Sequence, residues 1–146
     1  MKTLYISLGA LLLAFGVPSI AHAQYVNAGC GQLIRSRIQL EDQAQAANGA
    51  ADYGTAYEQY QQAVEYRANC AGETTGAAKQ WNLYFEASDY FGLEAATTSD
   101  DSPWHDQASG FRSEAHEITN NLLNENLESG LRQLVQQLWN YTQGDG

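Results

Sequence analysis

Cys30 and Cys70 are the only two cysteines in this chain of 146 residues, and they stand 40 positions apart. That separation is unlike the C-x-x-C spacing of a redox-active pair, so the chemistry they offer is closure into one structural disulfide. Closure needs an oxidising compartment, and the N-terminus supplies a route to one. Met1-Lys2-Thr3 gives a short positive start, Leu4 to Ile20 an apolar run, and Ala21-His22-Ala23 the small-x-small pattern that signal peptidase accepts. Residues 1–23 are therefore expected to be a signal peptide, cleaved before Gln24. An uncleaved membrane anchor is the competing reading, but Gly9, Gly16 and Pro18 interrupt the run, which falls short of the roughly 20 uninterrupted apolar residues a span needs. Lipidation is a second competitor, because Ala28-Gly29-Cys30 ends like a lipoprotein box. Asn27 stands where that box takes an aliphatic residue, and lipidation would leave Cys70 without its thiol partner.

The remaining chemistry-bearing groups are sparse. Two histidines follow the expected cleavage point, His105 and His116. On one helix, 11 residues apart, they would share a face about 16 Å apart, too far to bind one metal ion. There is no H-E-x-x-H, no G-x-S-x-G, no haem-attachment C-x-x-C-H and no phosphate-cradling glycine loop. Paired carboxylates for sugar hydrolysis could be drawn from 17 acidic residues, but no spacing prefers any two of them. The sequence therefore offers no catalytic, metal or cofactor residues.

Loss of residues 1–23 removes Lys2 and no acidic residue, so the mature chain carries six basic against 17 acidic residues, a net charge of −11. Nucleic acid is excluded as a partner, since phosphate binding depends on clustered Lys and Arg, and Arg35, Arg37, Arg67, Lys79, Arg112 and Arg132 are scattered. An anionic membrane surface would repel the chain as well. The 123 residues that remain suit one domain, 24–146, with no membrane span after signal removal.

Helical periodicity runs through that domain. Leu33, Ile34, Ile38, Leu40, Ala44 and Ala47 line one stripe of a first helix, from about 31 to 48, which Asn48-Gly49 should stop. A second helix, Asp52 to Arg67, alternates small and aromatic residues on one face: Tyr53, Ala56, Tyr57, Tyr60, Ala63 and Val64. A polar, glycine-bounded loop over 69–76 should end it. The third helix, 77–92, is the most aromatic, with Trp81, Tyr84, Phe85 and Phe91 and with Gly92 as its C-terminal cap. A loop over 93–101 leads to Ser102-Pro103, an N-cap and first-turn proline opening the segment 103–142. Its apolar stripe slips phase by one residue between Leu122 and Leu127, amid four asparagines, predicting either two helices or one bent helix. No strand-like alternation of useful length occurs. The expected fold is all-α, with four or five helices.

The antiparallel return of the second helix brings its end to the start of the first, so Cys30 and Cys70 flank one end of the hairpin. The Cα separation of about 5.5 Å that a disulfide requires is then within reach. A loop of this length would contribute about 3–4 kcal/mol in the chain-entropy account.

Residues 37–70 resemble one tetratricopeptide repeat. Leu40 and Ala44 match the large and small positions of its first helix, Asp52-Tyr53 the turn and its aromatic, and Ala56, Tyr60 and Ala63 the small-aromatic-small signature of its second helix, with Tyr66 near the end. Ala47 stands in place of the usual first-helix aromatic, and Ala68-Asn69 in place of the closing proline. The resemblance implies an interaction module. A lone unit must pack on the other helices, because such repeats stabilise one another by stacking. Tyr60 and Tyr84 are expected in the core, while Tyr57, Tyr66 and Trp81 are the candidate lining of a binding groove.

Together these readings predict an exported, disulfide-stapled, non-catalytic helical scaffold that binds a protein or peptide in the periplasm or outside a Gram-negative cell. The alternative is a small secreted ligand-binding or enzyme-inhibiting protein whose aromatic groove takes a sugar or short polymer.

Overall fold

A computed structural model describes residues 34–143. Met1 to Ala23, Gln24, Cys30 and Leu33 lie outside the described residues, so the readings made on them have no structural counterpart. Within the described residues the chain forms five α-helices and no strand, as the periodicity predicts. They are α1 (Ile34–Gly49), α2 (Tyr53–Glu73), α3 (Gly76–Thr97), α4 (Ala108–Leu123) and α5 (Ser129–Thr142), with one 3-10 turn at His105–Gln107 before α4. Each helix packs chiefly on its neighbours in sequence, and α3 touches the other four. No helix among the described residues is long and apolar enough to cross a membrane.

The stops differ from the sequence reading for identifiable reasons. α1 does stop at Gly49, as expected, but the left-handed residue that closes it is Ala51, at φ 61°. Around it the amide of Asp52 donates to Ala47 O at 2.8 Å and that of Ala51 to Asn48 O at 3.1 Å, the paired bonds of a Schellman motif built on alanine where glycine is usual. Asp52 then caps α2, its carboxylate accepting from the Thr55 amide at 3.4 Å. The second helix continues past Arg67 to Glu73 because its buried stripe continues through Arg67, Cys70 and Ala71.

The third helix likewise runs through Gly92, which is an interior contact and no cap. A Cβ at Gly92 would lie 2.3 Å from Tyr60 Cζ, so glycine is what lets the Tyr60 ring seat on the α3 backbone. Beyond it Leu93 and Ala96 are fully buried and carry the helix to Thr97. There the hydroxyls of Thr97 and Thr98 bond back to carbonyls of Leu93 and Glu94 at 2.8 and 2.6 Å. Ser102 does accept from the Trp104 amide at 3.1 Å, but the chain turns once more before α4 begins at Ala108.

Segment 103–142 divides into two helices at the phase slip. The turn over 124–128 is tied to α3: Gln80 donates to Glu125 Oε1 at 3.0 Å, and the Trp81 indole to Glu128 Oε1 at 2.8 Å.

Two clusters of buried side chains result. Around α1, α2 and the end of α3 the cluster is made of small residues and one ring: Ala44, Ala47, Ala56, Tyr60, Val64, Leu93 and Ala96. Around the start of α3, α4 and α5 it is bulky, with Trp81, Tyr84, Phe85 and Phe91 against Leu122, Leu131, Leu134, Val135 and Leu138.

Candidate functional site

A buried ionic centre lies where α1, α2 and α3 meet. Arg67, on the core stripe of α2, is fully buried. Its Nε donates to Glu41 Oε2 on α1 at 2.8 Å and its Nη2 to the other Glu41 oxygen, while Nη1 reaches Asn82 Oδ1 on α3 at 3.3 Å. The guanidinium also lies 4.5 Å from the Phe85 ring centre. Burial alone would lower the Arg67 pKa; Glu41 more than reverses that, so the charge is held.

Asp89, one turn beyond Phe85 on α3, is 3 % exposed and sets its carboxyl against that of Glu41. Burial first, then the Glu41 charge, drives the Asp89 pKa well up, against the opposing pull of Arg67. One proton held between the two carboxyls beside one guanidinium would leave the centre neutral. The same surroundings push the buried Tyr60 and Tyr84 phenols up. This centre joins three helices, and only Glu41, with 14 % of its side chain exposed, reaches its edge.

Two more α3 carboxylates face α4. Glu86 is pushed up to about 7 by burial and by Glu114. Glu94 is also raised to about 7, because its burial outweighs Arg112, whose Nε lies 3.1 Å from Glu94 Oε2.

The three residues expected to line one groove are not brought together. Trp81 is fully buried, stacked with Phe85 at 5.8 Å and edge-on to Tyr84 at 6.3 Å, and its indole N–H is engaged by Glu128, so it is core and no groove wall. Tyr57 and Tyr66 are both half-buried, but nine residues along a helix is two and a half turns, which puts them on opposite faces of α2. Tyr60 and Tyr84 are buried as expected.

Tyr57 instead joins three other rings. It stacks on Trp104 with centroids 4.1 Å apart and planes within 4°, and meets Phe111 edge-on at 6.4 Å; Tyr90 stacks on Phe111 at 6.3 Å. All four rings are half-exposed. The Tyr57 hydroxyl donates to Gln107 Oε1 and accepts from Gln61 Nε2, each at 3.0 Å, which fixes the ring against the α3–α4 connection. Trp104 lies outside α4, so no helical periodicity could have paired it with Tyr57.

The histidines also part company: His105 sits in the 3-10 turn and His116 within α4. No group of three or more His, Cys, Asp or Glu side chains among the described residues is placed to hold a metal ion.

A cleft of about 530 Å³ lies between α4 and the end of α5, with Arg112 and His116 on one side and Trp139 and Thr142 on the other. No protein-family model, curated protein or solved structure matches the chain.

Proposed function

We propose that this protein is an exported, non-catalytic helical scaffold that binds a protein or peptide in the cell envelope through the ring cluster at Tyr57. The observation that carries the reading is the coplanar Tyr57–Trp104 stack, half-exposed yet held by two glutamines. Rigid aromatic side chains that keep an apolar face toward solvent lose little entropy on binding, which is why they anchor interfaces. Export follows from residues 1–23 acting as a cleaved signal. In that setting Cys30 pairs with Cys70 to clamp the open end of the α1–α2 hairpin; Cys70 is 2 % exposed, and no free thiol occurs among the described residues. The tetratricopeptide-like character of 37–70 draws support from Ala44, Ala56, Ala63 and Tyr60, the matched small and aromatic positions, all of which are buried.

The test places a photo-crosslinking residue at Asp106 or Ser109, beside the rings, and at Gln136 on α5 as control, in the native envelope. Discrete crosslinked partners from the first two positions, lost when Tyr57→Ala and Trp104→Ala are added, are expected. Crosslinks that persist in the double variant would sink the assignment of the surface. Mass measurement of the exported protein with and without reductant tests cleavage before Gln24 and the disulfide together.

A further inference from the structure

The cleft between α4 and α5 is separate from the ring cluster, and its hydrogen-bonding pattern is specific enough to argue a ligand. His116 and Trp139 form its aromatic surface, stacked at 5.5 Å with planes 26° apart and both half-exposed. The Thr142 hydroxyl donates to Trp139 O at 2.9 Å and lies 3.2 Å from His116 Nδ1. A hydroxyl has one proton to give, so Thr142 accepts from His116, which places the imidazole proton on Nδ1 and leaves Nε2 as an acceptor when the ring is neutral.

The other groups complete a mixed set. The Glu117 carboxylate adds acceptors, and the Ser113 hydroxyl and Gln143 amide can both donate and accept. The Trp139 Nε1–H is buried out of reach of the cleft, so what Trp139 offers a ligand is its ring. Arg112 is drawn away from a ligand by Glu94, 3.1 Å from its Nε, and by Tyr141 O, to which its Nη2 donates at 3.3 Å, and the Glu117 carboxylate on the same cleft opposes its charge. A volume of about 530 Å³ falls within the range of small-molecule sites, about 300–1,000 Å³.

We propose that this cleft binds a small uncharged carbohydrate, a mono- or disaccharide. An aromatic face with interleaved donors and acceptors and no net positive charge matches a ring that carries hydroxyls on its edge and C–H groups on its faces. The site stands independently of the protein-binding surface at Tyr57, since it shares no residue with it.

The three tryptophans, Trp81, Trp104 and Trp139, give three indole N–H signals that report the test directly. Maltose and N-acetylglucosamine are titrated as neutral probes, with glucuronate and inorganic phosphate as charged ones. Saturable movement of the Trp139 signal with a neutral probe, while those of Trp81 and Trp104 stay in place, is the expected result. Trp139→Leu, which stays apolar but removes the aromatic ring, and Glu117→Ala should each weaken that binding about tenfold. Both are judged by perturbation of neighbouring α4 amides, and both must keep the wild-type unfolding midpoint. Tighter binding of glucuronate or phosphate than of either sugar would overturn the proposal in favour of an anion site. No movement of Trp139 with either neutral sugar would overturn it outright.

Discussion

The two halves of the bundle solve the same packing problem with opposite chemistry. On the hairpin side, alanines bring helices close, one ring sits on a glycine, and an arginine, two carboxyls and an asparagine occupy what would otherwise be apolar volume. On the α4–α5 side the space is filled by leucine, valine and aromatic side chains. Apolar filling tolerates rearrangement because it is non-directional. A buried ionic centre is directional: it holds three helices in one register, and removing one member leaves the others unmatched. The half with a fixed register is also the half that carries the Tyr57 ring cluster, which is where a rigid binding surface would be expected.

The largest predicted effect breaks the contrast on its polar side. Arg67→Ala leaves Glu41 charged beside Asp89 with no cation and opens space under Phe85, so it should cost about 3–5 kcal/mol in chemical denaturation. Leu131→Ala, a fully buried site on α5, should cost about 3 kcal/mol, from lost transfer energy and a cavity. The two differ in kind. Arg67→Met, which fills the volume, should recover only part of its loss because Glu41 stays buried, whereas Leu131→Met should recover most.

Gly92→Ala comes next, at about 1–3 kcal/mol, because the new methyl meets the buried Tyr60 ring on three of its atoms. In a cycle with Tyr60→Ala the two losses should be strongly non-additive.

The pH response sharpens the contrast further. Asp89, Glu86 and Glu94 all have raised pKa values in the folded chain, so the folded state binds more protons than the unfolded one. Their stabilising contribution is complete below the ordinary carboxylate value near 4; that of Glu86 and Glu94 is lost as pH rises through about 7, and that of Asp89 as pH rises through its own raised pKa. The unfolding midpoint should therefore be higher at pH 5 than at pH 8. Asp89→Asn with Glu86→Gln should flatten that slope, while Leu131→Ala should lower the whole curve without changing its slope. The smallest effect is at the hairpin turn: Ala51→Gly relieves a left-handed alanine and should add about 0.5–1 kcal/mol.

The helices were legible in the sequence, and so was the place where 103–142 changes, because a one-residue slip in a leucine stripe is visible without coordinates; whether it marks a break or a bend was not. What stayed hidden depends on contacts between elements. Arg67 reads as the last residue of the second helix and one of six scattered basic residues, since nothing local shows that Glu41, 26 residues earlier, waits to receive it. Gly92 reads as a cap because only Tyr60, 32 residues earlier, explains an interior glycine. Trp81 reads as a groove residue on ring type alone, whereas it is buried in the core cluster and its indole partner Glu128 sits on a turn that local pattern could not place. The Tyr57 cluster escaped for the same reason, since Trp104 belongs to an irregular connection.

The central claim is that the hairpin half is locked by a centre in which Glu41 and Asp89 share a proton beside Arg67. Carbon-detected NMR titration of the Asp89 side-chain carboxyl tests it most directly. The account predicts that Asp89 titrates well above the ordinary carboxylate value of about 4, and higher still in Arg67→Met. Titration of Asp89 at or below that value, unmoved by Arg67→Met, would contradict it.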